Sequence, residues 1–260
     1  MDKAIRKVDQ KKSIFFEVMQ FPDNMPFFGG IVFGPGFPDS PGGEEYANRQ
    51  VFNDHAYCCQ AGGEAACPGG EPTLNLSDMC RSFHKRKADT RRKSADEWGV
   101  PLIFSEFGAC FDTIECATEI SNSVDAYDDV LSSWAYWGYK SFGDHTTSGG
   151  IREGMFHEDG TIQKHKLKSL TRTYIHAWQG LPLMMYFNTK DATFTATMKF
   201  DATVKAETEV YIFFEEHYPN GYIATATVDG EHDEGLSFKQ VNDTNYLTLS
   251  HIDPESIHHK

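Results

Sequence analysis

Apolar runs alternate with amphipathic and polar segments along residues 1–182. Strands that are buried on both faces are continuously apolar, and strands that alternate with helices form βαβ units. The pattern therefore predicts an α/β fold built on a parallel sheet. The apolar runs that predict its strands are Ser13–Met19, Val51–Tyr57, Val100–Gly108 and Val130–Trp137.

Three segments between and after these runs predict helices, at residues 73–98, 118–129 and 161–178. The first has Thr73 or Asn75 as a candidate amino-terminal cap and Trp98-Gly99 as its stop. Residues 27–43 are rich in glycine and proline and predict a long loop after the first strand. Long loops of this kind border binding pockets and shape specificity.

Beyond Gly180-Leu181-Pro182 the apolar residues recur at every second position. This alternation is typical of half-buried antiparallel strands. The segment predicts a small β-sandwich over residues 183–260, after an α/β domain at 1–182. The predicted strands are 193–200, 210–214, 222–228, 236–241 and 246–250, with turns at 218–221 and 229–230.

The 260 residues carry a net charge of −14, which argues against a nucleic-acid partner because phosphate binding needs clustered positive charge. No apolar run is long enough to span a membrane. A local basic segment at residues 84–93 has two interpretations. It could contact anionic lipid headgroups at a membrane surface, or, as we favour, form a solvated helix face.

The six cysteines predict disulfides that pin loops, although their pairing stays open. No Cys-x-x-Cys pair or regular Cys/His spacing favours a metal, and we expect no cofactor. The sequons Asn75-Leu76-Ser77 and Asn242-Asp243-Thr244 agree with a secreted, lysosomal or endomembrane location. Because polar sequence rather than a signal peptide follows Met1, we expect a missing amino-terminal part.

Chemically capable side chains end each predicted strand: Glu17, then His55 with Tyr57, then Glu106, then Trp137 with Lys140. The carboxyl ends of parallel strands meet at one edge, where α/β barrels place their active sites. Glu106 is the best catalytic candidate, since an apolar strand delivers one carboxylate to this edge. The alternative is a glutamate that only leaves the core where the strand meets solvent.

Three motifs resemble strands six, seven and eight of glycoside hydrolase family 5: His55-Ala56-Tyr57, Glu106-Phe107-Gly108 and Ser133–Lys140. The similarity is closest to the branch of endoglycoceramidases and glucosylceramidases. It implies the carboxy-terminal half of a (β/α)8 TIM barrel, strands five to eight, followed by the β-sandwich. It also implies a retaining β-glycosidase that acts on glycosphingolipids.

The resemblance also implies roles for individual residues. Glu106 would be the nucleophile, Tyr57 would hydrogen-bond it and His55 would set its local charge. Trp137 would form the aromatic platform under the sugar ring. Lys140 and Asp144 either bind sugar hydroxyls or are polar loop residues.

One departure from the family is the acid/base residue, which is the glutamate of an Asn-Glu pair ending strand four. The chain contains no Asn-Glu pair, and Glu17 resembles a residue of strand five. We expect strands one to four to be absent, so that the half barrel associates with a missing half or with itself. Glu17 is then a candidate substrate-binding residue, and a less favoured acid/base substitute.

The alternative function is a non-catalytic glycolipid- or glycan-binding remnant. In either case the expected ligand is glucosylceramide, a longer oligosaccharide-ceramide or a steryl glucoside.

Overall fold

A computed structural model of the chain describes residues 1–18, 37–145, 149–232, 236–241 and 244–251. These residues form two compact units, Met1–Leu170 and Thr171–Lys260. The α-helices are α1 (Asp2–Arg6), α2 (Cys58–Ala66), α3 (Ser77–Trp98), α4 (Ile114–Asp129), α5 (Lys164–Leu170) and α6 (Phe214–His217). The strands are β1 (Ile14–Glu17), β2 (Gln50–His55), β3 (Leu102–Glu106), β4 (Ser133–Trp134), β5 (Tyr174–Ala177), β6 (Gly180–Asn188), β7 (Thr193–Phe200), β8 (Thr208–Tyr211), β9 (Thr227–Val228), β10 (Glu231–His232), β11 (Leu236–Gln240) and β12 (Tyr246–His251).

The first unit contains the predicted parallel sheet, with strands in the order β1-β2-β3-β4. Helix α3 connects β2 to β3, and α4 connects β3 to β4, as βαβ units require. The α/β prediction is therefore confirmed. Strand β4 is shorter than predicted, because Val130 caps the end of α4 and Leu131 adopts a positive φ of 51°.

The two faces of this sheet differ in burial. Phe16, Phe52 and Phe104 lie on the face covered by the helices, and Phe16 stacks on Phe52 with their ring centroids 5.4 Å apart. On the opposite face, Phe15 is 60% exposed and Val51 is half-buried. Parallel sheets normally have both faces covered, so this face is open within the described part of the chain.

Helix α3 forms because its core-facing residues recur three and four positions apart, and it ends at Gly99 in the left-handed conformation. The sequence correctly predicted this stop. The solvated-face interpretation of residues 84–93 is wrong for His84, Lys87 and Arg91, which are buried. Their polar groups face partners in the core, because His84 contacts Glu119 and the other two contact Asp54.

The predicted helix at residues 161–178 ends early, because α5 stops at Leu170 and β5 begins at Tyr174. The amphipathic pattern is overridden by pairing of β5 with β8. Consequently the division between the two units lies at 170/171 rather than at the predicted 182/183.

The second unit is built from antiparallel strands, as the alternating pattern predicted. One sheet has the order β11-β12-β8-β5, and β6-β7 and β9-β10 form two-stranded ribbons. A small core of Val210, Ile212 and Leu247 includes Phe194 from β7. The predicted strand at 222–228 is observed only at β9, and Phe214 begins α6 instead of ending a strand.

Some expectations fall on residues outside the described part of the chain. They are the end of the first predicted strand at Met19, most of the loop at 27–43 and the sequon residues Asn242 and Asp243. In the described ranges, we find no helix with the length and apolar character needed to cross a bilayer.

Candidate functional site

The candidate site lies where β1, β2 and β3 end. Glu17, His55 and Glu106 are the last residues of these three strands, which are neighbours in the sheet and run parallel. Parallel neighbours bring their carboxyl ends to the same edge. The local sequence thus determines which side chains occupy this edge, and the strand order determines that they meet.

The imidazole of His55 links two carboxylates. Its Nδ1 atom lies 3.2 Å from Oε2 of Glu106, and its Nε2 atom lies 3.2 Å from Oε2 of Glu17. Asn53, two residues earlier in β2, donates a hydrogen bond of 3.0 Å from Nδ2 to the same oxygen of Glu17. Polar contacts therefore connect Glu17, His55 and Glu106 across three neighbouring strands.

Tyr57 donates a hydrogen bond of 3.2 Å from its hydroxyl group to Oε2 of Glu106. This tyrosine is buried and immediately precedes helix α2, and its hydrogen bond places the hydroxyl group at the end of β3. Burial and the neighbouring Glu106 carboxylate raise the pKa of Tyr57 far above its ordinary value. The hydroxyl group therefore stays protonated and serves as a donor.

Glu106 is partly exposed, with 26% of its side chain accessible. Burial raises the pKa of its carboxyl group, while His55 and the hydrogen bond from Tyr57 lower it. The neighbouring carboxylates of Glu17 and Glu153 raise the same pKa. Glu106 is thus an accessible carboxylate whose ionisation depends on its neighbours, as expected of a group with a chemical task.

Disulfides fix the segments that follow β2 and β3. Cys58, directly after Tyr57, bonds Cys80 of α3, and Cys110 bonds Cys116 of α4. The remaining pair is Cys59–Cys67, so all six cysteines are bonded and the disulfide prediction is confirmed.

One group of described residues, Cys58, Cys80 and Glu119, has the spacing of metal ligands. Its sulfur atoms are already bonded to each other, which removes the thiolates that a metal would need.

The other predicted site residues lie at or beyond the end of β4. The backbone of Trp137 pairs with that of Gly108, two residues past Glu106, and the Trp137 side chain is half-buried. Lys140 and Asp144 are exposed, and the Lys140 ammonium group lies 5.3 Å from the centroid of the Phe142 ring. Their roles in substrate binding stay predictions.

Two residues that the sequence analysis did not select also belong to this region. The ring of Tyr136 packs so closely on Gly108 that a Cβ atom there would overlap it, and the glycine has a φ of 104°. Glu153, on the segment between β4 and α5, raises the pKa of Tyr136 after the larger effect of burial. Gly108, close after Glu106 in the sequence, could have indicated a close contact such as the one with Tyr136. No sequence pattern predicts that Glu153 belongs to the site.

Comparisons with known proteins relate both units to one group of enzymes. Residues 172–260 match the glycoside hydrolase family 5 C-terminal domain. An endoglycoceramidase from Cyanea nozakii is 29% identical over 226 residues, covering 86% of this chain and 39% of that protein. One from Hydra vulgaris is 28% identical, covering 85% of this chain and 36% of that protein. The chain thus spans well under half the length of these relatives.

A solved structure has a similar fold. Endo-glycoceramidase II from Rhodococcus sp., in a ganglioside GM3 complex, superposes with a TM-score of 0.64 at 19% identity. The match covers 96% of this chain and 49% of the Rhodococcus protein. Together, the comparisons confirm the resemblance to the carboxy-terminal part of endoglycoceramidase-like proteins of family 5.

Proposed function

We propose that this chain, which resembles the carboxy-terminal part of family 5 endoglycoceramidases, contributes the nucleophile of a retaining β-glycosidase acting on glycosphingolipids. The observation that carries the proposal is the contact of Glu106 with both Tyr57 and His55 at the carboxyl edge of the parallel sheet. Retaining hydrolysis requires a carboxylate of this kind, accessible and supported by hydrogen-bond donors.

In the proposed reaction, a carboxylate oxygen of Glu106 attacks the anomeric carbon of the sugar. The bond to the ceramide oxygen breaks while an acid donates its proton to that oxygen, leaving a glycosyl ester on Glu106. Water, deprotonated by the same acid/base group, then cleaves the ester and regenerates the carboxylate. Tyr57 stabilises the carboxylate before attack, and the indole of Trp137 provides an apolar surface for the ring.

Residues outside this chain would form strands one to four of a (β/α)8 barrel. They would also provide the acid/base group. Three observations support this part of the proposal. The chain contains no Asn-Glu pair, the face of the sheet that includes Phe15 is open, and related endoglycoceramidases extend well beyond the matched region. Strands β1 to β4 would then be strands five to eight of the barrel, followed by the β-sandwich.

A glycosylceramide is the favoured substrate class, because both relatives are endoglycoceramidases and the Rhodococcus structure contains a ganglioside. Lys140, Asp144 and Glu17 remain candidates for binding the sugar, and Glu17 has the firmest position of the three because His55 and Asn53 hold it. Contact with the membrane surface would accompany a lipid substrate.

Covalent trapping tests the role of Glu106 without requiring an acid. A 2,4-dinitrophenyl 2-deoxy-2-fluoro-β-glucoside releases a stable anion, so attack needs only the nucleophile and a formed pocket. We expect mass spectrometry to find the sugar on Glu106 in the wild-type chain and on no residue in Glu106→Gln. Glu158→Gln, an exposed carboxylate, is the matched control and should label normally.

Two other outcomes would contradict the proposal. Labelling that persists in Glu106→Gln would remove this residue from the mechanism. Binding of a β-glucoside by a wild-type chain that is never labelled would favour the glycan-binding alternative.

We also propose a secreted or lysosomal setting, supported by the three disulfides and by the exposed position of Asn75 in its sequon. For protein expressed in a secretory host, we expect treatment with PNGase F, which removes N-linked glycans, to reduce the apparent mass. In Asn75→Gln, the decrease in apparent mass on this treatment should be smaller by the mass of the glycan at this site. An unchanged shift in this variant would show that Asn75 carries no glycan.

A further inference from the structure

A buried lysine holds the segment that carries Glu153. Lys166 of α5 is fully buried, and its Nζ atom donates to the backbone oxygens of Ile151 (3.1 Å), Arg152 (2.7 Å) and Gly154 (2.9 Å). Gln163 donates a further hydrogen bond of 2.8 Å to the oxygen of Ile151. An irregular segment held by so many side-chain bonds is preorganised, which is what a binding group requires.

Backbone contacts place Glu153 next to the site. Its carbonyl oxygen accepts a hydrogen bond of 2.9 Å from the amide of Gly138. The preceding residue, Trp137, pairs with Gly108 beside Glu106. In agreement with this placement, the Glu153 carboxylate raises the pKa of Glu106, in addition to the larger effect of burial.

The Glu153 side chain is partly buried. No donor reaches its Oε2 atom within the described residues, although that atom is shielded from solvent. Such an arrangement costs free energy unless a ligand donates to the oxygen. Gly149 makes room for the group, because a Cβ atom at that position would overlap Oε1 of Glu153.

We propose that Glu153 accepts hydrogen bonds from hydroxyl groups of a sugar bound at Glu106, and so helps to determine which sugar is bound. A carboxylate accepts from two donors at once, which suits neighbouring hydroxyl groups on a pyranose ring. The inference rests on the proposed function for the identity of the ligand, and it adds a sugar-recognition residue from outside the sequence motifs.

Inactivation kinetics with the same dinitrophenyl 2-fluoro-β-glucoside test the proposal. For Glu153→Gln, we expect the second-order rate constant to fall by about 10- to 100-fold, the effect of losing a hydrogen bond to a charged group. Gly149→Ala should cause a similar loss by displacing the carboxylate. Glu158→Gln, a nearby exposed glutamate, should leave the rate constant unchanged.

Two additional readouts separate recognition from a structural role. The midpoint of thermal unfolding should stay equal or rise in Glu153→Gln, since an uncompensated carboxylate is removed. Probes that lack the hydroxyl group at C3, C4 or C6 should identify the hydroxyl group that Glu153 binds. The wild type should react more slowly with the probe that lacks this hydroxyl group than with the complete probe. With that deoxy probe, the wild type and Glu153→Gln should react at the same rate. Unchanged kinetics in Glu153→Gln, or a slower reaction accompanied by a lower midpoint, would overturn the inference.

Binding of methyl β-glucoside, measured by NMR on the same variants, separates failure of the inference from failure of the proposed enzyme. A wild type that binds this sugar but is not labelled would refute the proposed catalysis, and weaker binding by Glu153→Gln would still support the inference. Equal binding by the two proteins, or no binding by either, would contradict it.

Discussion

Glu106 has a pKa that reflects opposing influences from its immediate neighbours. Burial and two nearby carboxylates favour the protonated form, whereas His55 and Tyr57 favour the carboxylate. A nucleophile must be deprotonated to attack, so these neighbours determine the lowest pH at which Glu106 can react. Each of them can be tested through the acid limb of the pH profile for covalent labelling.

Replacing Tyr57 with phenylalanine should shift this acid limb to higher pH. The variant loses the hydrogen bond that lowers the pKa of Glu106, so that the carboxyl group stays protonated over a wider pH range. Burial and the remaining carboxylates continue to raise the pKa of Glu106 in this variant, so the displacement should be toward higher pH only. The measurement is the labelling rate constant of the wild type and Tyr57→Phe between about pH 4 and pH 8, an interval that begins near the free glutamate value of about 4.3 and extends upward, the direction in which the pKa of Glu106 is raised.

Tyr139→Phe is the matched control, since this tyrosine is 69% exposed. Its profile should coincide with that of the wild type. If the acid limb of Tyr57→Phe also coincides with the wild type, the hydrogen bond to Glu106 does not influence its ionisation in solution.

At the scale of elements, buried charges connect β2 to α3. Asp54 is fully buried, and its Oδ2 atom contacts Nζ of Lys87 at 3.1 Å and Nε of Arg91. Burial raises the pKa of Asp54 to about 6 even though Lys87 opposes the shift. Because His55 follows Asp54 directly and donates its backbone amide to Oδ1, this group of charges also positions the site.

Asp54→Asn should lower the free energy of unfolding by about 3–5 kcal/mol at neutral pH. The substitution leaves two buried cations without their counter-charge, which is more costly than the loss of the ion pairs themselves. Urea denaturation provides the measurement. Asp89→Asn breaks an exposed ion pair with Lys85 and should cost less than about 1 kcal/mol. Equal decreases in the free energy of unfolding for the two variants would show that burial does not determine how strongly this contact stabilises the fold.

At the scale of the whole molecule, the open face of the parallel sheet is the main feature that the described residues leave incomplete. Phe15 projects from this face and is 60% exposed, although it belongs to a strand of the sheet. Exposed apolar side chains on a sheet favour association with another chain.

We therefore predict that the isolated chain self-associates through this face and that Phe15→Glu weakens the association. Sedimentation equilibrium should give a lower average mass for the variant than for the wild type at the same concentration. Val8→Glu introduces the same charge at a residue that is 91% exposed and outside the sheet, and should leave the mass unchanged. A monomeric wild type would contradict the prediction.

The sequence predicted those features that depend on short-range patterns. Continuous apolar runs predicted β1, β2 and β3, and spacing with a terminal glycine predicted α3. Glu17, His55, Tyr57 and Glu106 could be selected because each lies at or just past a strand end, where parallel order alone brings side chains together. The motifs around them also identified the family resemblance.

Tertiary structure decided what depends on contacts between distant residues. Residues 174–177 pair with β8 as a strand, although their local pattern predicted a helix. Lys87 and Arg91 are buried because Asp54 faces them from another element. Glu153 reaches the site because Lys166 and Gly138 hold an irregular segment in place. Such bonds leave no periodic trace in the sequence, since they join side chains to backbone groups whose positions only the folded chain determines.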